Sequence, residues 1–599
     1  MEWSVFLAIS AACLLGAVVL ALLGTKAKYK SGRLLDPSRI LFAGVVISAV
    51  VLYVPIYLNT FKSTDCGIFE TVLLSVHNMI KLFVVDGEFE LIMSNLTDVP
   101  PNIFRGYTVL SAILLVAAPV LTFGFVLSFF KNISAYKRYV THYNYDTFIF
   151  SELNERSLCL AKSLKENGGK SRFFVFTDVF EREEEESYEL LERAKELGAV
   201  CFKKDIVTID FSFHSKKREL NLFAIGEDQS ENISQALKIV SKMKNRENSN
   251  LYVFSTQAEA EMLLSGAFGG SEDDIKIKVR RVNEVQSLIS RNLFEHGYNK
   301  IFEGAYDDGS GVRKIGALVV GMGEHGTEMT KALPWFCQMD GYLARIDSVD
   351  LDPLAEEKFT SLCPELMEFS GKLDIEGEAK YTINIHSGVD VDTVSFDKLV
   401  ESLPRITYVF VSLGSDEKNI STALRLRCMF EKAGYHPEIQ AVVSSSDKKE
   451  ALMGITNFKG QSYDIDFIGD MKVSYSEEVI LGSDVEEEAL KRHLKWGKES
   501  DFWKYDYNYK SSVASAIHRR MKELCGVPGI TKEPSERTEE ELLNLRILEH
   551  RRWNAYVRSD GYVFSGSIDR STRNDLAKTH NCLVPFDMLP LSEQEKDDD

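Results

Sequence analysis

"IGEDQSENISQALKI" at residues 225–239 and "LGSDEKNISTALRL" at residues 413–426 share one order. Each runs from a glycine through a short acidic and polar run to Asn-Ile-Ser-x-Ala-Leu and then a basic residue. The two asparagines, Asn232 and Asn419, stand 187 residues apart. Each stretch follows an apolar run rich in branched and aromatic residues, "LNLFAIG" (220–226) or "ITYVFVSLG" (406–414). Each leads into apolar residues at helical spacing. That is a strand exit followed by a helix start. One chain writing the same crossing twice points to a duplicated unit.

Outward from the first copy, "DTFIFS" (146–151), "RFFVFTDV" (172–179), "AVCFKKD" (199–205), "NLYVFST" (250–256) and "KIKVRRV" (276–282) alternate with helical patterns. From Lys314 the pattern begins again, with "YLARIDSVDLD" (342–352), "YTINIHS" (381–387), "PEIQAVVSS" (437–445) and "YDIDFIGD" (463–470). Strands alternating with helices predict a parallel, doubly wound α/β sheet in each copy. We expect one such domain over 144–305 and a second over 312–472. The repeated motif is then the fourth-strand crossing of each.

The second copy opens on "KIGALVVGMGEHGTEMTKAL" (314–333). Gly321, Gly323 and Gly326 form GxGxxG between a strand and a helix, where glycines permit a tight turn, close approach of a pyrophosphate and helix–strand packing. Asp350, 24 residues beyond Gly326, is placed to accept a ribose hydroxyl, with Asp352 as a competitor. These residues predict a Rossmann-like domain binding NAD or another nucleotide; the alternative is a turn that only packs its helix. The first copy has "SELNERS" (151–157) at this place, without a glycine. Side chains there hold a pyrophosphate off the backbone, so this copy is expected to be structural or to bind something else.

Ahead of the sheets lie three runs of 19 to 24 residues apolar enough to span a bilayer, at 3–23, 40–58 and 107–130. The first lacks the basic start of a cleaved signal, since "MEWS" precedes it and Lys26, Lys28 and Lys30 follow it. Those lysines with Arg33, and Lys131, Lys137 and Arg138 after the third run, predict an inner-membrane domain over 1–138 by the positive-inside rule. Its N-terminus is then outside and residues after about 131 are cytoplasmic. Between the second and third runs, residues 67–96 read as an amphipathic helix at the interface or a re-entrant segment. In the re-entrant case Asp86, Glu88 and Glu90 ring a cation path. In the other they form a solvated acidic turn. No TVGYG potassium filter is present.

Tandem Rossmann domains behind membrane helices resemble the RCK or TrkA-N regulatory domains of cation channels and transporters. That resemblance implies ligand sensing, assembly into dimers or rings, and transmission to a pore. After residue 476 the chain becomes helical and aromatic. Its order His550-x-x-Trp553, Gly561-Tyr562 and "HNCLVPFDMLP" from His580 resembles the ryanodine-receptor repeat (RyR) domain, over about residues 540 to 597. The resemblance implies a small, mainly helical sensor for a nucleotide-derived signal. Trp553, Tyr556 and Tyr562 are candidates to stack on a base, Arg551, Arg552 and Arg558 to hold phosphates, and His580 is a further candidate ligand contact. The competing reading makes these aromatics a small-domain core, with His550 and His580 as core or capping residues.

A net charge of −19 argues against a binder of nucleic-acid polymers. Nine scattered cysteines without a CxxC pair fit reduced thiols and no zinc site. The expected function is a ligand-gated channel or pore-forming effector, active as a homo-oligomer (dimer or tetramer) in the lipid bilayer, in bacterial signalling or antiviral defence by resemblance. A sensor subunit of a separate transporter is the alternative. An NAD-dependent oxidoreductase is the lesser one, because the sequence offers no persuasive proton donor, His325 within the glycine turn being a poor candidate.

Overall fold

The computed structural model describes residues 3–27, 37–60, 67–84, 89–168, 171–178, 185–256, 260–261, 263–264, 276–373, 380–453, 457–481 and 483–597. The chain forms two compact units, Met1–Arg138 and Tyr139–Asp599.

The first unit contains α1 (Trp3–Ala27), α2 (Pro37–Thr60), α3 (Ile68–Leu82), α4 (Phe89–Asn95) and the start of α5 (Pro101–Thr141). By length and composition α1, α2 and α5 can each cross a membrane, over Trp3–Leu20, Ile40–Thr60 and Pro101–Thr122. Small residues bring α1 and α2 together. A Cβ added at Gly44 would lie 2.1 Å from that of Ala17, and the Ser10 hydroxyl donates to the Ser48 carbonyl at 2.7 Å. Ser48 returns the bond at 3.0 Å, the close backbone approach and polar contact that join helices without a hydrophobic drive.

Helix α3 is turned inside out. Thr71, Ser75 and Asn78 are buried, while Ile68, Phe69, Val72, Leu73 and Ile80 are exposed. A 15-residue helix is too short to span about 30 Å of hydrocarbon at about 1.5 Å per residue. Its apolar face nevertheless looks away from the protein. Glu90 lies exposed in the first turn of α4; Asp86 and Glu88 lie outside the described residues.

The second unit holds two sheets. In the first, β1 (Asp146–Phe150), β2 (Arg172–Phe176), β3 (Val200–Cys201), β4 (Leu220–Ala224), β5 (Ser249–Phe254) and β6 (Lys278–Val282) lie in the order β3-β2-β1-β4-β5-β6. All pairings are parallel. One aromatic from each of β2, β1, β4 and β5 runs across the centre: Phe176 stacks on Phe150 at 5.0 Å, Phe150 on Phe223 at 4.8 Å, and Phe223 on Tyr252 at 4.9 Å.

A two-residue strand β7 (Tyr306–Asp307) pairs antiparallel with β8 (Arg313–Val320) in the second sheet. That sheet continues with β9 (Tyr342–Val349), β10 (Tyr381–His386), β11 (Tyr408–Val411) and β12 (Glu438–Val442). After a hairpin of β13 (Asn457–Phe458) and β14 (Gln461–Ser462), β15 (Ile465–Ile468) closes it, in the order β10-β9-β8-β11-β12-β15. The two orders are the same topology. The short pair β16 (Val563–Phe564) and β17 (Thr579–His580) lies among the C-terminal helices.

The repeated asparagines are latches. The Asn232 side chain accepts from the Gly226 N–H at 2.8 Å, just past β4, and donates to the Phe254 carbonyl at the end of β5 at 3.0 Å. Asn419 accepts from the Leu413 N–H at 2.5 Å and donates to the Val442 carbonyl at the end of β12 at 2.7 Å. Each buried amide thus ties the ends of the two adjacent strands that its helix connects. Asn419→Ala leaves a buried donor and a buried acceptor unmet, at a cost of about 2–4 kcal/mol. Urea unfolding should report that loss, and an unchanged midpoint would remove the latch from the account.

The C-terminal helices belong to the same unit. Glu539–Ser559 begins with a reciprocal cap, the Thr538 N–H donating to Glu541 at 2.9 Å and the Glu541 N–H to Thr538 at 3.2 Å. It runs against the Glu324–Phe336 helix, where Tyr556 meets Trp335 edge-on at 6.0 Å.

Candidate functional site

The turn between β8 and the Glu324–Phe336 helix gives its three glycines three situations. Gly321 has φ +93°, and a Cβ there would lie 2.2 Å from the Ser412 carbonyl oxygen. A Cβ at Gly326 would lie 1.7 Å from the Gly321 carbonyl oxygen. These two fix the turn and seat the helix on the sheet. Gly323, the residue before the helix, is different: nothing lies within 4 Å of where its Cβ would be. A polar group can therefore reach the backbone of a 13-residue helix's N-terminus at this point, where N–H groups and the helix dipole favour an anion.

Asp350 follows β9 beside this turn. Its carboxylate accepts from the Met322 N–H at 2.6 Å and from the Asp352 N–H at 2.7 Å. Asp352 is instead committed to its own turn through Lys358 and the Leu354 N–H. The structure thus brings Gly321, Gly323, Gly326 and Asp350 together and sets Asp352 aside.

In the first copy the equivalent crevice, between the ends of β1 and β4, is crossed by side chains. Ser151 Oγ accepts from the Ile225 N–H at 2.9 Å, Glu152 from the Glu227 N–H at 3.2 Å, and the Asn154 amide donates to the Ile225 carbonyl at 3.0 Å. Asn154 also caps the following helix through the Ser157 N–H at 2.8 Å. "SELNERS" closes its own crevice.

The C-terminal candidates are mostly interior. Arg551 is 7% exposed and donates to Asp340 at 2.6 Å. Arg552 is 2% exposed and donates to Glu549 at 2.8 Å, with its guanidinium 5.9 Å from the Tyr556 ring. Tyr556, Tyr562 and His580 are buried. Half-buried Trp553 sits between His550 at 5.7 Å and His580 at 4.9 Å, and Tyr562 lies 5.7 Å from Tyr507. Burial, then the Arg573, His550 and Lys596 charges, push His580 down to about 3. Its Nδ1 accepts from the Cys582 N–H at 3.1 Å, as a neutral ring can. Trp553 and Tyr562 therefore share His580 as a neighbour, Tyr556 meets Trp335 instead, and the arginines diverge to different carboxylates.

Glu549 organises this interior. It accepts from Ser515 at 2.7 Å, Lys522 at 2.9 Å and Arg552 at 2.8 Å. Burial alone would raise its pKa, but the Arg552, Lys522, Arg492 and His518 charges more than reverse that, leaving it well below the usual carboxylate range. Burial likewise pushes Lys522 down to about 7 against the pull of Glu549.

A feature that sequence reasoning missed is a cavity of about 80 Å³ where β6, the Glu324–Phe336 helix and the C-terminal helices meet. Arg280 and Arg281 reach across it, to Glu486 at 2.6 Å and Asp506 at 3.1 Å. The signal that would have found it is a polar stripe at helical spacing, Asn283, Gln286, Ser287, Ser290 and Arg291, on a helix whose other face is apolar. The sequence matches no family model and no curated protein.

Proposed function

We propose that the chain is a membrane channel or pore-forming effector gated by a nucleotide-type signal. Its two sheets are read as tandem Rossmann-like domains of the RCK or TrkA-N kind, and its C-terminal helices as an RyR-type module. The signal, NAD or another nucleotide, binds the second copy. The observation that carries this is the glycine turn: Gly321 and Gly326 leave no room for a side chain, whereas Gly323 faces open space at a helix N-terminus beside Asp350. When bound, the nucleotide supplies charge and a rigid body rather than chemistry here. Asp350 orients the ribose and the helix N–H groups hold the diphosphate.

Three apolar helices support a seat in a lipid bilayer, and α3 adds a short helix with its polar face inward, as a pore-lining or interfacial element has. The expected orientation leaves the sheets in the cytoplasm. Three helices conduct only in an assembly. A groove of about 860 Å³ along the edge strand β15, lined by Ile420, Leu424 and Phe467 among others, supports docking of a second copy.

The test is ion flux through proteoliposomes of purified chain, with and without NAD, ADP-ribose or cyclic oligonucleotides. One ligand should change flux severalfold, and Gly323→Val should abolish both its binding and that change. Binding without flux would make the chain a sensor subunit of a separate transporter. Turnover of NAD would make it an oxidoreductase.

A further inference from the structure

Helix Glu284–Gly297 follows β6 and carries two unlike faces. Val285, Leu288, Ile289 and Leu293 are buried in the core. Gln286, Ser287, Ser290 and Arg291, three and four residues apart, are half-buried and line the junction cavity. An inward helix face is ordinarily apolar, so a polar stripe inside a packed junction needs a partner.

Two unmet groups say what kind. Arg280 has a side chain 7% exposed; its Nη1 donates to Glu486 at 2.6 Å, but its Nε–H is buried without an acceptor. Arg291 pairs with Glu295 at 2.5 Å through Nη2, and its Nη1 is buried without an acceptor. A guanidinium only donates and keeps its charge, and a buried charged donor left unmet is costly. The missing partner is therefore an acceptor. The five acids in the wall already face cations: Glu486 takes Arg280, Asp506 takes Arg281 at 3.1 Å and Lys510 at 2.6 Å, Glu328 takes Lys331 at 2.9 Å, Asp560 lies 3.7 Å from Lys578, and Glu478 lies 4.0 Å from Arg291 Nη2.

We propose that this cavity binds a phosphoryl oxyanion, held by Arg280 and Arg291 with the hydroxyls of Ser287 and Ser290. A cavity of about 80 Å³ admits a phosphate group but not a whole nucleotide. The ligand is then inorganic phosphate or a small metabolite presenting its phosphoryl end. Three parts of the chain build the walls, so the anion binds only when they are assembled and stabilises that arrangement by mass action. The site is separate from the glycine turn and does not rest on that turn binding a nucleotide.

Thermal unfolding of the full chain in detergent, with sodium phosphate against sodium chloride at equal ionic strength, tests this, and calorimetry gives the affinity. Phosphate should raise the melting temperature where chloride does not. Ribose 5-phosphate is the second arm: tighter binding than phosphate marks a metabolite's phosphoryl group as the natural occupant, and weaker binding marks free phosphate, both within the proposal. Arg280→Gln should weaken binding by about tenfold or more, the factor that about 1.4 kcal/mol represents. Because Arg280 also pairs with Glu486, the double variant Ser287→Ala/Ser290→Ala, which keeps every ion pair, serves if Arg280→Gln does not fold. It should weaken binding severalfold. Gly323→Val should leave the response intact. No stabilisation beyond chloride, wild-type affinity in the cavity variants, or loss of the response in Gly323→Val would each overturn the site.

Discussion

Gly326→Ala is expected to unfold the second sheet's half of the larger unit, while Gly323→Val leaves it folded. The two residues stand three apart in one turn, and a propensity scale would treat them alike. At Gly326 an added methyl would lie 1.7 Å from the Gly321 oxygen and 2.8 Å from its carbonyl carbon. Those atoms are backbone, so no side chain can swing aside. Either the turn opens or the helix lifts from the sheet, and both separate Leu333 and Phe336 from the core they fill. The cost should exceed about 4 kcal/mol, the range reached only when a core or backbone constraint is broken. At Gly323 φ is −67° and the space is empty, so a valine should shift stability by less than about 1 kcal/mol. Circular dichroism melting of the pair decides the matter: equal melting temperatures would mean that the turn is not under the constraint described.

Glu549→Gln is the second large effect. The substitution keeps the shape and an acceptor but removes the charge that Arg552, Lys522 and Ser515 converge on. Breaking a buried pair from one side costs about 3–5 kcal/mol, because the remaining cation stays in a dry interior. The pH dependence gives an independent check. Glu549 has a folded-state pKa well below its unfolded value, so its contribution is fully present above the unfolded pKa of about 4.3 and fades as pH falls toward the folded one. The stability gap between wild type and variant should therefore be widest near neutrality and narrow below about pH 4. A gap that stays constant from pH 7 to pH 3 would mean that charge is not what Glu549 contributes.

Much of the architecture is readable locally. Apolar runs such as "FIF" and "LVV" announce strands, and the spacing of the glycines announces one turn. The repeated asparagine stretch reveals the duplication, yet its reading as a helix start misses the bond made 22 or 23 residues downstream, at Phe254 and Val442. The segment "LEHRRWNAYVRS" misleads for a related reason. Arginines in a row look like a surface that greets phosphate, but Arg551 is met by Asp340 and Arg558 by Glu365 at 3.2 Å. Both partners lie some 200 residues earlier, where no window can see them. Helix α3 shows a third limit. Periodicity reveals its two faces, but only the neighbouring helices decide that the polar one turns inward.

The closed crevice of the first copy carries a consequence for descent. Three side chains, Ser151, Glu152 and Asn154, each fasten the same two loops, and Asn154 caps a helix as well. Restoring a glycine at any one position would remove a fastener and still leave the other two in the way. Gain would come only after several simultaneous changes, while each single step loosens the fold. Once a duplicated domain has filled its vacant cleft with its own side chains, selection for stability bars the return. Specialisation of the two halves then works as a ratchet.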